Sequence, residues 1–292
     1  LLSVRRRDAI RSNGRSIMPR LDSTLTERVI FNEPCAAAIA AEATRLGSQR
    51  VFLMVSSSLN KNTDAIRRVV GALGLRHAGT YEGMPSHTPR DAVVDAVAKA
   101  RSCGADLIVT IGGGSLTDAG KVVQLALATK AYSFEALESY KAPASLRLSW
   151  SPDSAVRQIC VPTTLSGGEF SFIAGCSNTR LSPPEKQGFV TPLICPRVVI
   201  LDPEISAHTP AWLWLSTGVR SVDHCVEAIC SVKANAYTDG VAMDGLRLLT
   251  EGLRRCRADP GDMEGRSRCQ IGMWKAASLV TAGGAFCARH RL

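Results

Sequence analysis

The sequence predicts an α/β domain, doubly wound about a mostly parallel sheet, followed by an all-α domain. Three observations carry that prediction. Up to about residue 130, short apolar runs alternate with stretches of helical period, the pattern of strand–helix–strand units with right-handed crossovers. The run "ADLIVTI" at 105–111 is the continuous apolar kind that a parallel strand buried on both faces requires. From Pro210 onward, every patterned segment has the helical period.

In chain order, "RVIF" at 28–31 reads as a strand and "CAAAIAAEATRLG" as a helix that Gly47 stops, with "RVFLMV" the strand that follows. "TDAIRRVVGALG" is helix-periodic, with Ile66, Val69, Val70 and Leu73 on one side. "DAVVDAVAKARSCG" is a further helix before "ADLIVTI", while "RQICVPTT" and "RVVILDPEI" are strand-like. The segments "PAWLWLSTGVRSVDHCVEAICS", "TDGVAMDGLRLLTEGLRRC" and "SRCQIGMWKAASLVTAGG" then read as helices. This divides the chain into a basic leader at 1–27, expected to be disordered, an α/β domain at 28–202 and an incomplete helical domain at 203–292. No internal repeat is present, and no low-complexity tract beyond the leader.

Composition narrows the function class. With 45% apolar residues over 292 positions the chain can build large cores. It lacks an uninterrupted apolar run long enough for a membrane span. The net charge of +9 is concentrated at the start, where six arginines among the first twenty residues face Asp8 alone. The remainder is close to neutral and does not interleave aromatic with basic residues, which argues against a nucleic-acid partner. The leader is Arg-rich and acid-poor, as a mitochondrial presequence would be. The chain opens on Leu1, however, and "MPRLDSTLTERVIF" from Met18 reads as a natural start, so an over-extended or fragmentary N-terminus and a cytoplasmic location are the expectation. Ten scattered cysteines without a C-x-x-C pair fit a reducing compartment and give no zinc cluster.

Gly112, Gly113 and Gly114 stand between the strand "ADLIVTI" and a helix, where a parallel sheet binds ligands and a helix N-terminus offers N–H groups to an anion. Ser115 and Asp118 have the S-x-x-D form of a capping box, which places the helix start directly after the glycines. The dinucleotide fingerprint G-x-G-x-x-G is not met, because Thr117 holds its last position. Either a pyrophosphate approaches the bare backbone here, or the glycines make only a tight turn.

Four ordered segments favour the first reading: "IGGGSLTDAGK", "VPTTLSGGEFS" at 161–171, "KQGFVTPLICPRVVILDPEI" at 186–205 and "STGVRSVDHCVEA" at 216–228. Together they resemble the iron-type (group III) alcohol dehydrogenase family over roughly residues 28–285. "HTP" at His87–Pro89 and "TTLSGGEF" resemble its maleylacetate reductase branch.

The resemblance implies an active site in the cleft between a nucleotide-binding α/β domain and a helical domain. Gly112, Gly113, Gly114 and Ser115 would hold the pyrophosphate of NAD or NADP. Thr163, Thr164 and Ser166 would line the ribose and nicotinamide side. Asp118 and Lys121 match the same motif, although Asp118 also suits a helix cap. Where relatives carry an acid after the second strand, this chain has Ser56, Ser57 and Ser58, so Ser57 becomes the cofactor-facing candidate and NADP stays open; a plain polar turn is the alternative.

The resemblance also implies a metal site that this sequence does not reproduce. Metal-dependent members place an Asp four residues before a His; His224 matches the His, but Arg220 holds the Asp position, and a guanidinium has no lone pair for a metal. Asp223 projects in another direction, and the surroundings of His290 do not match the family. His224 is thus a metal ligand only if a metal binds at all, and iron or zinc is expected to bind weakly. The maleylacetate reductase branch implies instead that Arg220 and His224 polarise a conjugated acid, with Arg220 on a carboxylate or a developing enolate. Arg220 paired with Asp223 or Glu227 is the alternative.

His87 either faces the nicotinamide cleft from its loop or serves helix entry with Pro89 in the first turn; His208 reads as helix entry and His77 as surface. The function implied is an NAD(P)H-dependent oxidoreductase passing hydride to a small unsaturated or carbonyl acid. A metal-dependent alcohol dehydrogenase and a truncated inactive chain are the alternatives, and glycerol dehydrogenase or dehydroquinate synthase types fit less well. A homodimer is expected through edge strands near the N-terminus.

Overall fold

The computed structural model describes residues 25–149, 155–231 and 234–281. Nearly all of the basic leader, and His290, lie outside the described residues. The chain runs β1 (Arg28–Phe31), α1 (Cys35–Arg45), β2 (Val51–Val55), α2 (Ser57–Asn62), α3 (Ala65–Leu73), β3 (His77–Glu82), α4 (Arg90–Ser102), β4 (Leu107–Gly112), α5 (Gly114–Thr129) and α6 (Phe134–Glu138). It continues through β5 (Arg157–Pro162), β6 (Ile173–Asn178), β7 (Glu185–Val190), β8 (Val198–Leu201), α7 (Pro203–Ser206), α8 (Ala211–Cys230), α9 (Ala236–Ala258) and α10 (Met263–Thr281).

Six strands form one sheet in the order β1-β8-β5-β4-β2-β3, every neighbouring pair parallel. The central strands are buried at every residue, so their apolar runs serve both faces in alternation. Val51, Leu53, Val55, Leu107, Val109 and Ile111 face α1 and α3, whereas Phe52, Met54 and Ile108 face α4 and α5. On α3, Ile66, Val69 and Leu73 are buried and Val70 half-buried, as the spacing predicts. Gly47 follows α1 at φ +70°, a left-handed position where its missing Cβ matters.

Two features were not legible in the sequence pattern. β3, "HAGTYE", is an edge strand with only Tyr81 buried, so it lacks an apolar run. β6 and β7 form a separate antiparallel hairpin whose "IAGCSN" and "EKQGFV" mix glycine and charges into the strands. After Asp202 the regular elements among the described residues are all helices. α8, α9 and α10 pack on one another and on Cys160, Val199 and Leu201 from the sheet, making a third core cluster beside the carboxyl ends of β5 and β8. Pro89 is the cap residue of α4 rather than a member of its first turn.

Candidate functional site

The glycine segment and the "PTT" segment meet because β4 and β5 are parallel neighbours in register. Gly112 pairs with Pro162, and the Thr163 N–H donates to the Gly112 carbonyl at 3.0 Å. A Cβ at Gly113 would stand 3.2 Å from Thr164 Cγ2, and one at Gly114 would stand 3.0 Å from Ser166 Oγ. Thr164 Oγ1 donates to Ser166 Oγ at 3.2 Å, so two hydroxyls lie directly against the bare backbone at the start of α5.

The expected capping box is not formed. Gly113 is the cap residue, in extended conformation, and no side chain caps α5. Ser115 therefore falls inside the first turn, two residues too late to cap. Its Oγ accepts the His87 backbone N–H at 3.1 Å, and its carbonyl accepts Thr88 Oγ1 at 3.0 Å. Asp118 accepts the Gly175 N–H at 3.1 Å and meets Lys186 Nζ at 3.7 Å. Its role as a helix cap is excluded by that geometry. Burial pushes the Asp118 carboxyl up, opposed by Lys121 and Lys186. The start of α5 is left without a side-chain cap, at the place where an anion is best received.

The loop before α4 is drawn to this point. His87 and Thr88 hold φ values of +64° and +55°, each a strain of about 1–3 kcal/mol for a non-glycine residue. Their bonds to Ser115, with Ser177 Oγ donating to the His87 carbonyl at 2.7 Å, hold the strained pair in place. The His87 side chain itself is exposed.

Lys121 is fully buried and its ammonium donates to the Gly168 carbonyl, to Ser171 Oγ at 3.3 Å and to the Ile173 carbonyl at 2.8 Å. It thereby pins the far side of the "TTLSGGEF" loop. Lys186, not singled out in the sequence, reaches Asp118 across Gly175, whose missing side chain leaves the path open. Only the hairpin pairing of β6 with β7 reveals that.

Ser57 opens α2 beyond the carboxyl end of β2, with Ser56 as its cap residue. β3 brings an acid to the same place: Glu82 is the register partner of Val55, and a Cβ at the intervening Gly83 would lie 2.9 Å from Ser57 Oγ. Asn60 Nδ2 donates to Glu82 at 2.6 Å, and with Lys61 and Ser57 it holds the carboxylate below its usual range. The serines alone had suggested a site without an acid. The acid comes from the neighbouring strand, 25 residues later in the chain than Ser57.

The opposite wall comes from α8. Thr217 Oγ1 accepts the Leu165 N–H at 3.1 Å, and Ser221 Oγ donates to the Leu165 carbonyl at 2.7 Å, so both polar groups of one loop residue are satisfied by one helix face. His224 follows Ser221 along α8 and is mostly buried, its Nδ1 3.9 Å from Glu227 Oε2. Arg220 is exposed. His208 lies between α7 and α8, ahead of the cap residue Pro210, and His77 opens β3 with its Nε2 2.8 Å from Thr80 Oγ1.

Residues 26–203 match the model of iron-containing alcohol dehydrogenases, and residues 214–291 match the C-terminal model of the same family. The chain belongs to the iron-containing alcohol dehydrogenase family. It is 37% identical over 218 residues to the dehydrogenase FUM7 of Gibberella moniliformis, covering 73% of this chain and 51% of that one. It is 28% identical to the maleylacetate reductase of Rhizobium sp. strain MTP-10005, over 92% of this chain and 67% of the reductase. The crystal structure of maleylacetate reductase from Agrobacterium tumefaciens superposes with a TM-score of 0.73 at 27% identity, covering 90% of this chain and 65% of that one. The matched part thus spans about half to two thirds of these relatives' lengths.

Within this family member, the uncapped start of α5 and the glycines pressed by Thr164 and Ser166 fit a dinucleotide pyrophosphate. The donor set does not fit a divalent metal in the same way. Among the described residues no group of three or more His, Cys, Asp and Glu side chains converges, and the helix position one turn before His224 is the obligate cation Arg220.

Proposed function

We propose that this protein is an NAD(P)H-dependent reductase of a small unsaturated or carbonyl acid, of the maleylacetate reductase kind. The observation that carries the reading is the meeting of Gly112–Gly114 with Thr163, Thr164 and Ser166 at a helix start that no side chain caps. The names of the relatives, reductases and dehydrogenases, support the reaction class.

In this reading Gly112, Gly113, Gly114 and Ser115 present backbone N–H groups to the pyrophosphate, and Thr164 and Ser166 bound the path toward the nicotinamide. The cofactor supplies the hydride. Asp118, with Lys186, closes the site from the hairpin side. Arg220 binds the substrate carboxylate and stabilises negative charge that develops on the carbonyl oxygen. His224, with Glu227 Oε2 3.9 Å from its Nδ1, stands on the same helix as a hydrogen-bond or proton donor to that oxygen. His87 shapes the entrance through its backbone bond to Ser115. No step passes through a metal.

Glu82 beside Ser57 supports a preference for NADH, because a carboxylate repels the 2′-phosphate of NADPH. β1 is an edge strand with Phe31 48% exposed, and it would pair with a second copy of the chain. Fluorescence titration of the purified chain with NADH, and in parallel NADPH, tests the reading. Saturable binding with NADH the tighter supports it; a folded sample that binds neither nucleotide overturns it.

A further inference from the structure

Glu169 is fully buried, and neither of its carboxylate oxygens meets a hydrogen-bond donor from another residue. It stands in the loop between β5 and β6, directly after Gly167 and Gly168 and three residues beyond Ser166. Both flanks are held by α10: a Cβ at Gly167, which sits at φ +72°, would stand 2.9 Å from Ala277 Cβ, and Phe170 stacks on Trp274 with ring centroids 5.8 Å apart. The same loop presses Ser166 on Gly114, where a Cβ would stand 3.0 Å from Ser166 Oγ.

The titratable groups facing it are Lys121 and Asp118 from α5 and the Cys160 thiol from β5. α10 meets the loop through Met273, Trp274 and Ala277, none of which titrates. Lys186 on β7 stands 3.7 Å from Asp118. Lys121 directs its ammonium to the Gly168 carbonyl, Ser171 Oγ and the Ile173 carbonyl, so it offers Glu169 charge but no hydrogen bond. Burial pushes the carboxyl up to about 7, opposed by its own backbone N–H and by Lys121 and reinforced by Asp118.

We propose that Glu169 holds the proton that couples this site to dinucleotide binding: an anionic pyrophosphate at Gly112–Ser115 draws a proton from solvent onto the Glu169 carboxylate, forming its O–H. The inference rests on the cofactor reading above. A new negative charge at the start of α5 favours the neutral form of a nearby buried acid, and linkage requires the converse, tighter nucleotide binding as the acid gains its proton.

The test is isothermal calorimetry of NADH binding to the full chain at pH about 7 in two buffers of different ionisation heat. The expected result is a buffer-dependent heat that reports fractional proton uptake, absent in Glu169→Gln. The wild-type Kd for NADH should also fall with pH through about 7, a measurement that needs no variant. NADH binding with equal heats in both buffers overturns the proposal and leaves the cofactor reading standing. Uptake that persists in Glu169→Gln and vanishes in Asp118→Asn also overturns it, by placing the proton on Asp118. Failure of the wild-type chain to bind NADH at all sinks both readings.

Discussion

At the scale of single residues, the glycines at the start of α5 are constrained by what lies against them. A methyl group at Gly113 would crowd Thr164 Cγ2 at 3.2 Å, and one at Gly114 would crowd Ser166 Oγ at 3.0 Å. Gly114→Ala is therefore expected to weaken NADH binding about tenfold or more, roughly 1.4 kcal/mol, with little change in melting temperature; titration and a thermal melt on the same sample check this. Arg220 is exposed, so its loss carries little stability cost. Arg220→Ala should raise KM for the acid substrate and lower kcat, and unchanged kinetic constants would remove it from the mechanism. Glycines, hydroxyls and Arg220 could be singled out in the sequence because their chemistry is carried by residue type. Lys186 and Glu82 could not, because each matters only through the neighbour that strand pairing gives it.

At the scale of elements, α8 is tied to the loop after β5 by the two bonds to Leu165. Ser221→Ala leaves the buried Leu165 carbonyl without its 2.7 Å donor, a cost of about 1–3 kcal/mol in unfolding free energy by denaturant titration. The turn from α9 to α10 carries a pH-dependent element. Arg255 grips Asp262 through Nε and Nη2, and that hydrogen bonding, with the Gly265 N–H, lowers the carboxyl to about 2. Because the folded-state value lies below the ordinary one near 3.8, the stabilisation is present above that pH and is lost as pH falls through about 2. Thermal melts of Asp262→Asn should show a shallower acid limb than wild type. The helices and the four buried strands β2, β4, β5 and β8 announce themselves by period and apolarity. β3 and the β6–β7 hairpin do not, since half-exposed strands bury too few side chains to leave a pattern.

At the scale of the whole molecule, one parallel sheet, two flanking helical layers and a helical region beyond Asp202 bring three separated segments to the carboxyl edge of β4 and β5. The metal site shows how far a family pattern can be carried. In the proposed reading His224 on α8 would be the family's ligand and Arg220 would hold its partner position, and among the described residues no group of three or more His, Cys, Asp and Glu side chains converges. Added iron or zinc is expected to leave both the reductase rate and the melting temperature unchanged, measured on protein first treated with a chelator. A rise in either would restore the metal-dependent alternative.

The sequence by itself determined the α/β then all-α order, the glycine-rich junction, the family, and the presence of Arg220 one helical turn before His224. All of these follow from local period or residue type along a continuous stretch. Tertiary structure alone decided that Gly113 caps α5 in place of the Ser115–Asp118 box, that Asp118 faces Lys186, that Glu82 stands beside Ser57 and that Glu169 is buried without a bonded partner. Those facts depend on which strands are neighbours and in what register. Pairing of that kind joins residues tens of positions apart, and it is set by the burial of whole faces, not by any signal within a segment.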